Sequence, residues 1–280
     1  FFALQRASRS AYVKEGADFG VALLDVKGKV FGYPPSTTVQ FLLDIECCPT
    51  IAAVPDLEDG DVIISNDPYM TQGLSTHLPD VHMIRPYFHK GHIVAYGWCF
   101  IHATDIGGRV PSSISPSNHE IFQEGLRIPP MKFYDKGVLN ETLWMLLEKN
   151  VRIPVQVFGD LRAQLAACTI AERQFLELVE RYGINQVNTY MGEVIDYAER
   201  LTRAAISELP DGTYDFEDWI DDDGIDRDRP IRLNCRIDKE GDSIKVDWTG
   251  SSEQVKGAIN CTLSFLSLIH ISEPTRPRLI

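Results

Sequence analysis

A change in the spacing of apolar residues constrains this chain's fold more than any other feature. From about Pro154 to Leu209 they recur at helical intervals. Leu161, Leu165, Cys168, Phe175, Leu178 and Val179 form one stripe; Val187, Tyr190, Met191, Val194, Ala198, Leu201 and Ala205 form a second. Gly183 lies between them, where it can end a helix. The pattern predicts a helical hairpin with arms of roughly 25 residues each. On both sides the spacing is that of strands. Asp18 to Asp25 and Val30 to Gly32 flank a turn at Lys27-Gly28-Lys29, and Val62 to Ser65 is a short apolar strand. His82 to Phe88 and His92 to His102 flank His89-Lys90-Gly91. Asn140 to Asn150 reads as a short helix, and Ile231 to Ile237 and Ser243 to Trp248 read as strands. The expected class is α+β: a strand-rich region over 1–150, the hairpin over 151–210 and a strand-rich segment over 211–265, all parts of one core.

The two ends of the chain are read differently. Leu266 to Arg276 spells LSLIHISEPTR, which matches the translation of a sequencing-library adapter. Residues 266–280 are therefore expected to be a non-native tail, and His270 is set aside with them. The absence of an initiator Met leads us to expect that the chain begins inside a longer protein.

Charge and composition narrow the function. A net charge of −13 over 280 residues argues against a nucleic-acid partner, whose phosphates would be repelled. No apolar window long enough for a membrane span and no signal-peptide pattern is present, so a cytoplasmic protein without a membrane partner is expected. The six cysteines lack C-x-x-C spacing and read as reduced thiols. Neither G-x-x-x-x-G-K-[ST] nor G-x-G-x-x-G after a strand occurs, so the chain has no recognisable nucleotide site. G-x-S-x-G is missing as well, which weakens a serine-hydrolase reading.

Chemistry concentrates between Ser65 and Gly108, in Asn66-Asp67-Pro68-Tyr69, Thr76-His77-Leu78-Pro79-Asp80 and His102-Ala103-Thr104-Asp105-Ile106-Gly107-Gly108. His77 and Asp80 are three residues apart, and His102 follows His77 by 25. Two imidazoles and one carboxylate can cap one face of a divalent ion and leave positions open for water or substrate. The alternative is that His77 and His102 are ordinary surface or core histidines, as His82, His89, His92 and His119 are expected to be, and spacing alone leaves both readings open. The Pro-rich loop after Gly108 adds Glu120 and Glu124 as candidate supports. The acidic stretch from Asp211 to Asp228 fails as a calcium loop. With Gly224 at the invariant glycine, Trp219 and Pro230 fall where ligands belong.

These islands, with Glu120-Ile-Phe-Gln-Glu-Gly-Leu-Arg-Ile-Pro-Pro130, Asn150-Val-Arg152, Gly159-Asp-Leu-Arg-Ala-Gln164, Leu209-Pro-Asp-Gly-Thr-Tyr214, Asp221-x-Asp223-Gly224 and Asp247-Trp-Thr-Gly-Ser251, resemble the hydantoinase B family over residues 10–265. The resemblance implies a metal-dependent subunit of an ATP-dependent cyclic-amide hydrolase, of hydantoin or 5-oxoproline type. It would form a hetero-oligomer with a hydantoinase A-like ATPase subunit, which uses the ATP, and act on a small-molecule substrate. The acetone carboxylase alpha subunit shares the family and supplies an alternative, a ketone carboxylase; a non-catalytic assembly module is a more remote one. That branch implies manganese, with zinc or iron as other candidates, held by His77, Asp80 and His102. Asp67 and Asp105 then orient the imidazoles, and Glu124 joins them as a catalytic candidate. Family proteins are about twice this length.

Overall fold

The computed structural model describes residues 1–34 and 47–262. The tail expected from Leu266 lies outside the described residues. Two compact units are present, Phe1–Ile114 with Ile121–Val187, and Ser115–Glu120 with Asn188–Asn260.

The first unit begins with two short helices that the apolar spacing did not reveal, α1 (Phe2–Ala7) and α2 (Ala11–Lys14), the latter capped by the Ser10 hydroxyl. Strands β1 (Phe19–Leu24) and β2 (Val30–Gly32) follow, then helix α3 (Cys48–Ala52) and strands β3 (Val62–Ser65), β4 (Asp80–His89) and β5 (His92–His102). Strands β6 (Met131–Asp135) and β7 (Val138–Leu139) precede helices α4 (Glu141–Asn150) and α5 (Pro154–Tyr182). Asn140 caps α4 by accepting the Leu143 N–H, and Pro154 opens α5, where its missing N–H costs nothing.

The seven strands form one antiparallel sheet in the order β2-β1-β5-β4-β3-β6-β7. Its central strands are buried on both faces, so they read as long apolar runs rather than as clean alternation. Val81, Met83, Cys99 and Ile101 point to one face, in a core with Leu4, Val13 and the α5 residues Val157, Phe158, Leu161 and Cys168. Ile84, Trp98 and Phe100 point to the other, with Ala22, Leu24, Ile63 and Leu74. Polar contacts fix α5 on the sheet. The Gln164 side-chain amide donates to the Val81 carbonyl at 3.0 Å, and the Tyr87 hydroxyl donates to the Cys168 carbonyl at 3.0 Å. The six cysteines are free, and the buried thiols of Cys99 and Cys168 lie 3.4 Å apart.

Helix α6 (Ile184–Ser207) follows Gly183, which has a φ of 79°. Helices α5 and α6 occupy the span expected for the hairpin, and the division between units falls inside α6, after Val187. The second unit carries a three-stranded sheet in the order β10-β9-β8, formed by β8 (Gly212–Ile220), β9 (Ile231–Glu240) and β10 (Ser243–Asp247). Every residue of β8 is exposed, Phe216 and Trp219 included. Among the described residues no helix is long and apolar enough to cross a membrane.

Candidate metal centre

Strand β4 starts at Asp80, two residues earlier than the expected His82, because the Asp80 N–H closes a turn onto the His77 carbonyl at 3.1 Å. Asp80 is thereby fixed in the sheet directly opposite His102, the last residue of β5. His77 approaches from the loop just before β4. Its Nε2 lies 3.1 Å from Asp80 Oδ1, and His102 Nδ1 lies 3.4 Å from the same oxygen. The two imidazole rings are 5.0 Å apart. Among the described residues, His77, Asp80 and His102 are the one group of three His, Cys, Asp or Glu side chains whose ligand atoms all lie within 4.8 Å of one another.

The cluster is built. The Thr76 hydroxyl donates to Asp80 Oδ2 at 2.6 Å, leaving Oδ1 to the imidazoles. Ser75 Oγ lies 2.9 Å from the His77 carbonyl and 3.2 Å from the Asp80 carbonyl, which shapes the loop between them. Burial alone would raise the Asp80 carboxyl, but the charge of His77 and hydrogen bonds from both imidazoles outweigh it and hold the group far below the usual carboxylate range. Burial would likewise lower His77; Asp80, then Glu124 and Asp18, outweigh it and raise the imidazole. An ionised carboxylate between two imidazole nitrogens is a donor set that suits a divalent ion of the manganese, iron or zinc kind.

The other predicted site residues are placed differently. Glu124 reaches the cluster, its Oε2 accepting the Leu78 N–H at 2.9 Å. Glu120 is exposed and falls within the second unit. Asp67 is buried, but its oxygens serve the Tyr69 and Met70 N–H groups and the Arg127 guanidinium rather than an imidazole. Asp105 is also spent elsewhere. It accepts from the N–H groups of Gly107, Ser112 and Arg152 and pairs with the Arg152 guanidinium at 2.9 Å, tying the loop after β5 to the start of α5. His82 is a core residue. It stacks on Phe100 and accepts from Trp98 Nε1 at 3.2 Å, and burial pushes its imidazole down to about 4.

Sequence reasoning missed Asp18. The residue precedes β1, and pairing of Phe19 with Ile101 carries its carboxylate to 3.8 Å from His102 Nδ1. Burial, with the charge of Asp80 adding to it, raises the Asp18 carboxyl, and the two imidazoles oppose that rise. The only sequence signal was an acidic residue at the head of a strand. Tyr12 of α2 also comes in from the N-terminal helices, its ring 5.1 Å from that of His102.

Comparison with known proteins agrees with this architecture. A sequence profile described as hydantoinase B/oxoprolinase matches residues 1–271. Caprolactamase subunit beta of Pseudomonas jessenii is 34% identical over 246 residues, 87% of this chain and 42% of that protein. 5-Oxoprolinase 1 of Arabidopsis thaliana is 31% identical over 292 residues, 92% of this chain and 22% of that protein. The crystal structure of the ATP-dependent caprolactamase from Pseudomonas jessenii superposes with a TM-score of 0.82 at 32% identity, covering 95% of this chain and 45% of that one. Nucleotide-free acetone carboxylase also gives 0.82, at 19% identity over 93% of this chain and 36% of that one, a likeness of fold alone. The chain thus spans less than half the length of these relatives.

Proposed function

The chain belongs to the hydantoinase B/oxoprolinase family, and from that membership together with its clustered imidazoles and carboxylate we propose that it carries the metal site of an ATP-dependent cyclic-amide hydrolase. The observation that carries this reading is the convergence of His77 and His102 on one Asp80 oxygen. These three residues would hold a divalent ion, with manganese our first choice. When bound, the ion supplies Lewis acidity toward a carbonyl or phosphoryl oxygen.

The chain's own residues do the rest. Thr76 fixes the Asp80 carboxylate so that one oxygen faces the cluster. Glu124 anchors the backbone beside His77 and adds negative charge. Asp18, part-exposed at the edge of the cluster with a raised carboxyl, is placed to take a proton from an attacking water and return it to the departing amide nitrogen. Resonance makes an amide a poor electrophile, and phosphorylation of its oxygen removes that resonance; water adds to the ring carbon, the C–N bond breaks, and a second water releases inorganic phosphate from the resulting carboxyl phosphate. We assign the phosphorylation to a hydantoinase A-like ATPase subunit in a hetero-oligomer, in keeping with the lack of a phosphate loop here.

Hydrolysis is favoured over ketone carboxylation because the caprolactamase and 5-oxoprolinase relatives, at 34% and 31% identity, carry amidohydrolase names, whereas acetone carboxylase is related at 19%. Two measurements test the reading. His77→Ala and His102→Ala should lose bound metal by elemental analysis with unchanged circular dichroism; equal metal in wild type and both variants overturns the site. The full-length protein with its ATPase partner should open a hydantoin, 5-oxoproline or caprolactam ring only when ATP is supplied. Ring opening without ATP overturns the coupling, and ATP use that requires a ketone and bicarbonate overturns the hydrolase assignment.

A further inference from the structure

Arg127 is organised in a way that its structural contacts do not explain. Its guanidinium lies over two aromatic faces, 5.7 Å from the Tyr69 ring centre and 5.6 Å from that of Phe122. Both rings are exposed, Tyr69 at 66% and Phe122 at 71%. A third contact runs from Arg127 Nε to Asp67 Oδ2 at 3.5 Å, longer than a good charge-assisted hydrogen bond. The nearby Arg152 uses both Nη nitrogens on Asp105 and on the Gly107, Val110 and Gly108 carbonyls. Ordering an arginine at a surface costs side-chain entropy, and here two rings and a buried carboxylate order it without taking up its fork of Nη donors.

The position of Arg127 is also fixed relative to the metal loop. The Asn66 side chain donates to the Leu78 and Leu126 carbonyls and accepts the Ile128 N–H, so it grips the backbone on both sides of Arg127 and the residue after His77. Glu124, three residues before Arg127, holds the Leu78 N–H. Arg127 therefore stands on a segment stitched to the loop that carries His77 and Asp80.

We infer that Arg127, clamped between Tyr69 and Phe122, is an oxyanion-binding residue of the substrate site, its Nη edge receiving the phosphoryl or carboxylate oxygens of the substrate. The inference rests on the hydrolase reading above and adds a specificity element to it. A planar fork held by aromatic faces suits a group with two or more anionic oxygens. In a chain of net charge −13, such a group needs a local cation to be held.

The test is binding of inorganic phosphate to the chelator-treated chain, followed by titration calorimetry. This readout needs neither metal nor turnover, so failure of the metal assignment leaves it intact. Wild type should bind phosphate and Arg127→Gln should bind about tenfold more weakly or worse, with Arg127→Lys in between. Tyr69→Leu and Phe122→Leu, surface changes that leave the core alone, should weaken phosphate because they free the guanidinium. Acetate that displaces phosphate at equal concentration identifies a carboxylate as the natural group, and acetate that fails to do so identifies a phosphoryl group; either supports the inference. In the full-length complex, Arg127→Gln should raise KM or uncouple ATP use from ring opening while metal content stays at the wild-type level. No phosphate binding by the wild-type chain, or equal affinity in wild type and Arg127→Gln, overturns the proposal.

Discussion

The cluster depends on one threonine as much as on its imidazoles. Thr76 takes up Asp80 Oδ2, and without it the carboxylate can rotate and share both oxygens with the imidazoles. Thr76→Val should weaken divalent metal binding about 10- to 100-fold with little change in melting temperature, as read by competitive metal titration. Asp61 provides a contrasting residue, structural and remote in role. It is fully buried, and burial would raise its carboxyl, but Lys132 at 2.8 Å and the N–H groups of Glu58 and Lys136 outweigh that and lower it. A carboxyl lowered by folding stabilises the protein above its ordinary range and loses that contribution as pH falls through the folded value. Asp61→Asn should therefore flatten the acid limb of stability between about pH 5 and pH 3 in denaturant titrations. At this scale the sequence disclosed His77, Asp80 and His102, whose spacing is local or follows one hairpin, whereas Glu124, a candidate from the loop after Gly108, meets Leu78 across 46 residues. Asp18 was hidden because only long-range pairing of β1 with β5 brings it to the cluster. The orienting task expected of Asp67 and Asp105 could not be checked from sequence, since their real partners, Arg127 and Arg152, lie far along the chain.

Among elements, the β4–β5 hairpin and helix α5 do most to position the site. Their agreement relies on a close approach at Gly97, where an added Cβ would collide with the Tyr87 hydroxyl that anchors α5 through the Cys168 carbonyl. Gly97→Ala should destabilise the fold by about 1–3 kcal/mol, measured by urea unfolding, and Tyr87→Phe introduced beside it should recover part of the loss. Elements with strong apolar periodicity were legible: β3, β4, β5, α4, α5 and α6 stand near their expected spans. Those missed were the nine-residue β8, which lies in the acidic stretch read as a turn, and α1, α2, α3, β6 and β7, each of six residues or fewer. An element that short completes too few periods to stand out, and its conformation is decided by what it packs on.

At the scale of the whole molecule, the first unit supplies a sheet whose central strands are buried on both faces, while the second presents a strand with no burial at all. Exposed edge strands bearing aromatic residues promote association. The isolated chain should bind anilinonaphthalene sulfonate, and Phe216→Ser with Trp219→Ser should reduce that fluorescence and any concentration-dependent mass seen by light scattering. The β4–β5 hairpin has a further consequence at this scale. Asp80 and His102 face each other at its open end, whereas Lys90 and Gly91 turn the chain at the other, with φ of 51° and 81°. With about 3.3 Å per residue, the ten residues of β4 put the tip roughly 30 Å from Asp80 and His102. The 21 residues between Asp80 and His102 are thus a matter of ladder length, and lengthening both strands by equal steps would preserve the pairing at the base. The exposed tip becomes a natural port for protein engineering: a fluorophore or an affinity peptide grafted between Lys90 and Gly91 would report on or immobilise the protein while Asp80 and His102 remain in register.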